Sequence, residues 1–127
     1  MRDARLPVVK VCCIASREEA DLAIAAGASA LGLVSAMPSG PGVISDEEIA
    51  EIAATVPPPV ATFLLTARQE ADAIVEQQRF CGTTTLQLVD HVAPTELQRL
   101  RRALPGIRIV QVVHVNGEEA VEEARAF

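Results

Sequence analysis

Large aromatic side chains are almost missing from this chain. Its 127 residues include no tryptophan, no tyrosine and only three phenylalanines. Proteins that bind single-stranded nucleic acid stack the bases on aromatic side chains, so the chain is poorly equipped for that role. Its formal net charge of −6 also opposes binding to phosphate backbones and anionic lipid surfaces. We therefore expect neither a nucleic-acid partner nor a membrane partner.

Cysteines and long apolar runs are also scarce. The chain has three cysteines, of which Cys12 and Cys13 are adjacent, and this makes a poor disulfide framework. The apolar run from Val8 to Ile14 is interrupted by Lys10 and is far too short to cross a bilayer. Residues 1–5 lack the apolar run and cleavage site of a signal peptide. These features favour a reducing, cytoplasmic location.

Five short segments that are apolar or β-branched predict five strands, each followed by a helix. Because they alternate poorly between apolar and polar residues, they are typical of strands buried on both faces in a parallel sheet. This pattern predicts one α/β domain over residues 1–127. The strand candidates are Val8–Ile14, Ala30–Val34, Val60–Leu65, Thr84–Val89 and Ile107–Val113.

Helix starts follow the strand candidates. A serine, threonine or asparagine followed three residues later by glutamate or glutamine predicts a capping box, in which side chains bind free backbone N–H groups. Pro94 suits the first turn of the fourth helix, because proline has no N–H to leave unpaired there. The predicted boxes are Ser16 with Glu19, Ser45 with Glu48, Thr66 with Gln69, and Asn116 with Glu119.

Five βα units are compatible with two architectures. One is an open flavodoxin-like sheet with strand order 2-1-3-4-5, which the chain length favours. The other is the first five units of a (β/α)8 barrel, a fold that typically needs roughly 200 residues or more. The sequence ends at Phe127 with nothing to cover the fifth strand, which favours an incomplete barrel. Such a half-barrel would expose apolar surface, so we expect it to self-associate as a homo-oligomer or to be unstable.

Cys12 is the candidate for chemistry in the first strand. It lies near the carboxyl end of that strand, the edge at which parallel α/β proteins collect their ligands. Strand alternation places Lys10, Cys12 and Ile14 on one face. An ammonium group on that face favours a thiolate, which is the form able to act as a base. His91 and His114 follow the fourth and fifth strands, but no ligand spacing indicates a metal site.

The chain from Lys10 to Ser16, with the later segment Ala30–Val34, resembles the N-terminal region of the phosphoribosylanthranilate isomerases. That family begins with Lys-Ile/Val-Cys-Gly-Ile-Thr and continues with a Gly-Ala-Asp-Ala-Leu-Gly-Phe-Val strand. Leu86-Gln87-Leu88 likewise matches a family Val-Gln-Leu segment. The resemblance implies a (β/α)8 barrel that catalyses an Amadori rearrangement of a phosphorylated sugar amine in tryptophan biosynthesis, without a cofactor. It implies Cys12 as the catalytic base. Lys10, Gln87 and His91 are candidate substrate-binding residues because of their positions on or after the predicted strands.

The chain also departs from the family pattern. Cys13 stands where the family has glycine, and Gly42 stands where it has the loop arginine used on the anthranilate carboxylate. The family's acidic aspartate belongs to the sixth strand and its phosphate site to the loops after the seventh and eighth strands, none of which this chain contains. The alternative functions are therefore a diverged paralogue without isomerase activity, or a flavodoxin-like binding module.

Overall fold

Strands and helices alternate along the whole part of the chain, residues 7–127, that this computed structural model describes. The expectation about a signal peptide at residues 1–5 lies outside the described residues. The five strands are Lys10–Val11 (β1), Ala30–Val34 (β2), Ala61–Thr66 (β3), Thr85–Leu88 (β4) and Arg108–Gln111 (β5). The five helices are Arg17–Ala25 (α1), Asp46–Thr55 (α2), Ala71–Cys81 (α3), Pro94–Ala103 (α4) and Glu119–Arg125 (α5).

The strands form one parallel sheet in the order β1-β2-β3-β4-β5. Leu33 of β2 pairs with Leu64 of β3, and Leu64 pairs with Leu86 of β4. Every strand therefore lies beside the strand that precedes it in sequence, as in a (β/α)8 barrel. The flavodoxin-like alternative is wrong, because its order requires β1 between β2 and β3. None of the helices described between residues 7 and 127 combines the length and the apolar character needed to span a membrane.

One face of the sheet packs against the helices and forms the core. Leu31, Leu33, Leu64, Leu86 and Leu88 lie there with no more than trace exposure, against Ile49, Ile74 and Leu100 of the helices. Because side chains alternate along a strand, the residues between these leucines point to the opposite face. We call this the inner face; its members include Lys10, Gly32, Phe63, Gln87 and Val110.

The strand predictions were most accurate in the middle of the sheet. β2 has the predicted bounds, and β3 and β4 differ by one residue at each end. β1 shrinks from seven residues to two. Its carboxyl end is shorter because Cys13 adopts a left-handed conformation with φ of 60°, which ends the extended run. β5 is also shorter than predicted. Both short strands pair on one side only within the described residues.

Two of the four predicted capping boxes match helix starts. Ser45 Oγ accepts from the N–H of Glu48, whose carboxylate accepts from the N–H of Ser45. At α1, Ser16 Oγ accepts from the N–H of Glu19, and Glu19 accepts from Ala15. Pro94 begins α4 as predicted.

The other two boxes were wrong. Thr66 remains in β3, and its hydroxyl donates to Gln77 Oε1 at 2.7 Å. The third helix begins at Ala71 without a side-chain cap. The fifth begins at Glu119 after Glu118, again without a side-chain cap, so Asn116 lies outside it.

Candidate functional site

The thiol of Cys12 lies on the inner face at the carboxyl end of β1. Gly32 lies on the adjacent strand β2, between the core residues Leu31 and Leu33. A side chain at position 32 would therefore point to the inner face. A Cβ at Gly32 would lie 2.6 Å from Cys12 Sγ and 3.1 Å from its Cα. Cys12 therefore occupies space that only glycine at position 32 leaves open. Its side chain remains exposed.

Lys10 shares the inner face with Cys12. Its Nζ lies 4.9 Å from the ring centroid of Phe63, which belongs to β3. The ammonium thus reaches across β2 and is held over the aromatic face by a cation–π contact. The prediction that Ile14 lies on this face was wrong: it is buried in the helix-side core, because the left-handed conformation of Cys13 breaks the strand alternation.

Cys13 connects the turn after β1 to the loop after β2. Its Sγ lies 3.7 Å from the carbonyl oxygen of Pro41. Gly42, with φ of +83°, packs so closely that an added Cβ would lie 2.7 Å from Cys13 Cβ. Partial desolvation raises the pKa of Cys13, the neighbouring Cys12 thiol raises it further, and Lys10 opposes both effects. Cys13 is therefore a packing residue that favours its neutral thiol.

Gln87 lies on the inner face of β4, in register with Leu65 of β3 and Val110 of β5. Its side chain is half-buried. Two intervening strands, β2 and β3, separate it from β1, which places it about 14 Å from Cys12 along the sheet. Its amide faces the same side of the sheet as the thiol and lies two residues closer to the carboxyl edge.

His91 follows β4 but is directed toward α5. Its Nδ1 lies 4.0 Å from Glu123 Oε2, and its ring centroid is 5.4 Å from that of Phe127. His114 Nε2 lies 2.8 Å from the carbonyl oxygen of Val89. The structure therefore places Lys10, Cys12 and Gln87 on one face of the sheet and leaves His91 apart.

Two residues that shape the site are not singled out by sequence reasoning. Gly32 provides the space for the Cys12 thiol, and Phe63 supports the Lys10 ammonium. Each lies between residues that point to the helices, and that alternation is the signal that could have found them. No cluster of three or more potential metal ligands occurs within residues 7–127.

Comparison with known proteins identifies relatives along almost the whole chain. No protein-family profile matches it. An N-(5′-phosphoribosyl)anthranilate isomerase of Synechococcus is 31% identical over 119 residues, covering 94% of this chain and 51% of the relative. The isomerase of Methanocella arvoryzae is 26% identical and is covered to 56%. The chain is a homologue of the phosphoribosylanthranilate isomerases. It spans about half the length of the curated relatives it matches.

Solved isomerase structures show the same partial match. The Thermotoga maritima isomerase has a TM-score of 0.78 and 25% identity, over 94% of this chain and 56% of that one. An isomerase in complex with reduced 1-(o-carboxyphenylamino)-1-deoxyribulose 5-phosphate has a TM-score of 0.79 and 25% identity, and is covered to 59%. The five βα units therefore match part of the isomerase barrel.

Proposed function

We propose that this chain provides the proton-abstracting part of an isomerase that converts an N-(5′-phosphoribosyl) amine into the corresponding aminoketose. The observation that carries the proposal is the exposed Cys12 thiol at the carboxyl end of β1, beside Lys10, in a homologue of the phosphoribosylanthranilate isomerases. The family relation suggests a role in tryptophan biosynthesis in the cytoplasm, and a phosphorylated substrate.

In this proposal, Cys12 as thiolate removes the proton from C2′ of the ribosyl group. The electron pair of the C2′–H bond forms a C1′=C2′ double bond while the bond between C1′ and the ring oxygen breaks, and a general acid protonates that oxygen. The resulting enolamine then tautomerises to the aminoketose. A base must approach the proton it removes to hydrogen-bond distance, which the exposed thiol on the concave face permits. The acid and the phosphate-binding loops would come from βα units outside these five. Lys10, on the same face, would orient the substrate.

The remaining candidates receive different roles. Gln87 presents a half-buried amide to the same concave face, and we assign it a hydrogen bond to substrate. His91 could act there only if its ring left Glu123 and Phe127. The proposal therefore depends on Cys12, Lys10 and Gln87 more than on His91.

Recognition of an aromatic carboxylate is expected to be weak. The family resemblance places an arginine at position 42, but here any side chain at that position would collide with Cys13 Cβ, 2.7 Å away. The positive φ of Gly42 adds backbone strain to such a substitution. We therefore expect that Gly42→Arg improves the KM for phosphoribosyl anthranilate only when combined with Cys13→Gly.

The proposal can be tested in a chimera that joins this chain to the unmatched half of the Synechococcus isomerase. A cooperative thermal transition establishes that the chimera is folded, and steady-state kinetics on phosphoribosyl anthranilate measures its activity. We expect Cys12→Ala to reduce kcat at least a hundredfold, within the range attributed to general-base catalysis. Cys13→Ala is the matched control, because it removes the adjacent thiol and should retain turnover.

Two outcomes contradict the proposal. A folded chimera that has no turnover with Cys12 present would show that these units do not support the reaction. Equal kcat for the chimera and its Cys12→Ala variant would show that another group is the base.

A further inference from the structure

The turn after β1 brings the thiols of Cys12 and Cys13 into contact. Adjacent side chains on a regular strand point to opposite faces, but the left-handed conformation of Cys13, with φ of 60°, interrupts that alternation. Both cysteines border the same cavity, whose volume is about 400 Å³. Desolvation raises the pKa of Cys13, and the charge and hydrogen-bonding contact of the Cys12 thiol raise it further. The two sulfur atoms therefore share one environment.

The two thiols differ in access. Cys12 is exposed, whereas Cys13 is half-buried, with its Sγ 3.7 Å from the carbonyl oxygen of Pro41. A Cβ at Gly42 would lie 2.9 Å from that sulfur, so the loop after β2 packs directly against Cys13. A residue other than glycine is strained in the left-handed conformation and keeps it only where its surroundings fix it. The loop contact is what holds the turn that joins the two thiols.

A bond between adjacent cysteines has a characteristic chemistry. The Cα atoms of neighbouring residues are about 3.8 Å apart across a trans peptide, which is closer than the roughly 4.4–6.8 Å of ordinary disulfides. Such a bond is strained, and strained disulfides are the easily reduced ones that serve regulation. Cysteines that respond to oxidants are accessible and lie beside a second cysteine that resolves the first product. Cys12 and Cys13 have these two properties.

We propose that Cys12 and Cys13 form a redox-responsive dithiol, which a low-molecular-weight disulfide converts reversibly into a disulfide between the two residues. The exposed Cys12 reacts first: its thiolate attacks one sulfur of the small disulfide, whose S–S bond breaks and releases one thiol. The Cys13 thiolate then attacks Cys12 Sγ and displaces the second thiol.

The exchange balances without any further reactant. Two protein thiols are oxidised, one small disulfide is reduced, and the protons of Cys12 and Cys13 end on the two released thiols. The second step is intramolecular, so the high effective concentration of Cys13 beside Cys12 offsets its small thiolate fraction.

Mass spectrometry of one peptide tests the proposal. The 127-residue chain is incubated with glutathione disulfide, its remaining thiols are blocked with N-ethylmaleimide, and it is digested with trypsin. Cleavage after Lys10 and Arg17 releases the peptide Val11–Arg17, which contains Cys12 and Cys13 but not Cys81. We expect this peptide to carry neither glutathione nor the blocking group and to be two hydrogen atoms lighter than the free dithiol. Dithiothreitol should restore both hydrogen atoms.

Single substitutions separate the roles of the two thiols. Cys13→Ser should stop the reaction at a mixed disulfide between Cys12 and glutathione, because no neighbouring thiol resolves it. Cys12→Ser should react about tenfold more slowly, since the remaining thiol is less accessible and less often a thiolate. Cys81→Ser is the matched control: Cys81 is 2% exposed, and burial raises its pKa to about 12. It should leave the oxidation of Val11–Arg17 unchanged.

One consequence rests on the proposed function. The disulfide consumes the Cys12 thiolate that is assigned as the base, so the oxidised chimera described above should lose turnover and regain it on reduction. The mass of Val11–Arg17 reports the disulfide without any turnover. Turnover that persists with the disulfide formed would contradict Cys12 as the base and leave the disulfide established.

Three outcomes would overturn the inference. A stable glutathione adduct on the wild-type peptide would show that Cys13 does not reach Cys12. A covalent dimer on a non-reducing gel would show that Cys12 links two chains instead. The third concerns the chain denatured in urea, in which we expect the equilibrium constant for the disulfide to be about tenfold smaller, because no turn holds the thiols together. An equal constant would show that the pair reacts through sequence adjacency alone.

Discussion

The middle strands β2–β4 and the end strands β1 and β5 differ in what covers them. The middle strands have a neighbour on each side, and Leu31, Leu64 and Leu86 are fully buried under the helices. The end strands pair on one side only within the described residues, and Val110 on β5 is 41% exposed. How well a βα unit is packed thus depends more on whether it has a neighbouring unit on each side than on its local sequence.

The largest expected effect comes from truncating a leucine in the middle. Leu64→Ala should reduce the free energy of unfolding by about 3 kcal/mol, through lost burial and the cavity that remains. Val110→Ala, in the exposed part of β5, should reduce it by about 0.5 kcal/mol. Urea denaturation measures both losses, and the dependence of the unfolding free energy on urea concentration should be the same for the two variants. Similar losses for the two variants would show that β5 is covered in solution.

A second prediction concerns the contact that holds the end of β1. Gly42→Ala should destabilise the chain by about 2 kcal/mol, because its Cβ would clash with Cys13 and its φ is positive. In a Cys13→Gly background the clash is removed, and about 1 kcal/mol of the loss should remain. A double-mutant cycle by urea denaturation measures this coupling. Additive losses would show that the two loops do not pack together.

The smallest expected effect is a pH dependence in the middle helices. Glu96 of α4 accepts from the N–H of Ala71 at 2.8 Å, and this bond, together with Arg99, lowers the pKa of Glu96. A lowered folded pKa contributes stability that is present above the ordinary carboxyl value of about 4.3 and lost as pH falls through the folded value. We expect the amide of Ala71 to exchange faster, relative to its intrinsic rate, at pH 3 than at pH 6.

The Glu96→Gln variant provides the control for that measurement. Its side chain cannot ionise, so protection of the Ala71 amide should no longer depend on the ionisation of residue 96. If the wild-type chain shows the same protection at both pH values, the Glu96 carboxylate does not stabilise the start of α3.

Sequence patterns predicted the fold better than they predicted the site. The bounds of β2 and the capping box at Ser45 were correct, because a buried strand and a helix start depend on adjacent residues. Thr66 was interpreted as a cap, but it binds Gln77 instead, eleven residues away in the sequence. The pairing of a strand hydroxyl with a helix amide depends on how the helix packs, which local pattern does not show.

The sequence alone determined the five βα units and the presence of a thiol near the end of the first strand, since hydrophobic periodicity and local capping act over a few residues. Tertiary structure decided the strand order, the left-handed turn at Cys13 and the inner-face environment of Cys12. The surroundings of Cys12 and Cys13 include Gly32, Gly42 and Phe63, which are distant in sequence. Such contacts exist only after the units pack side by side.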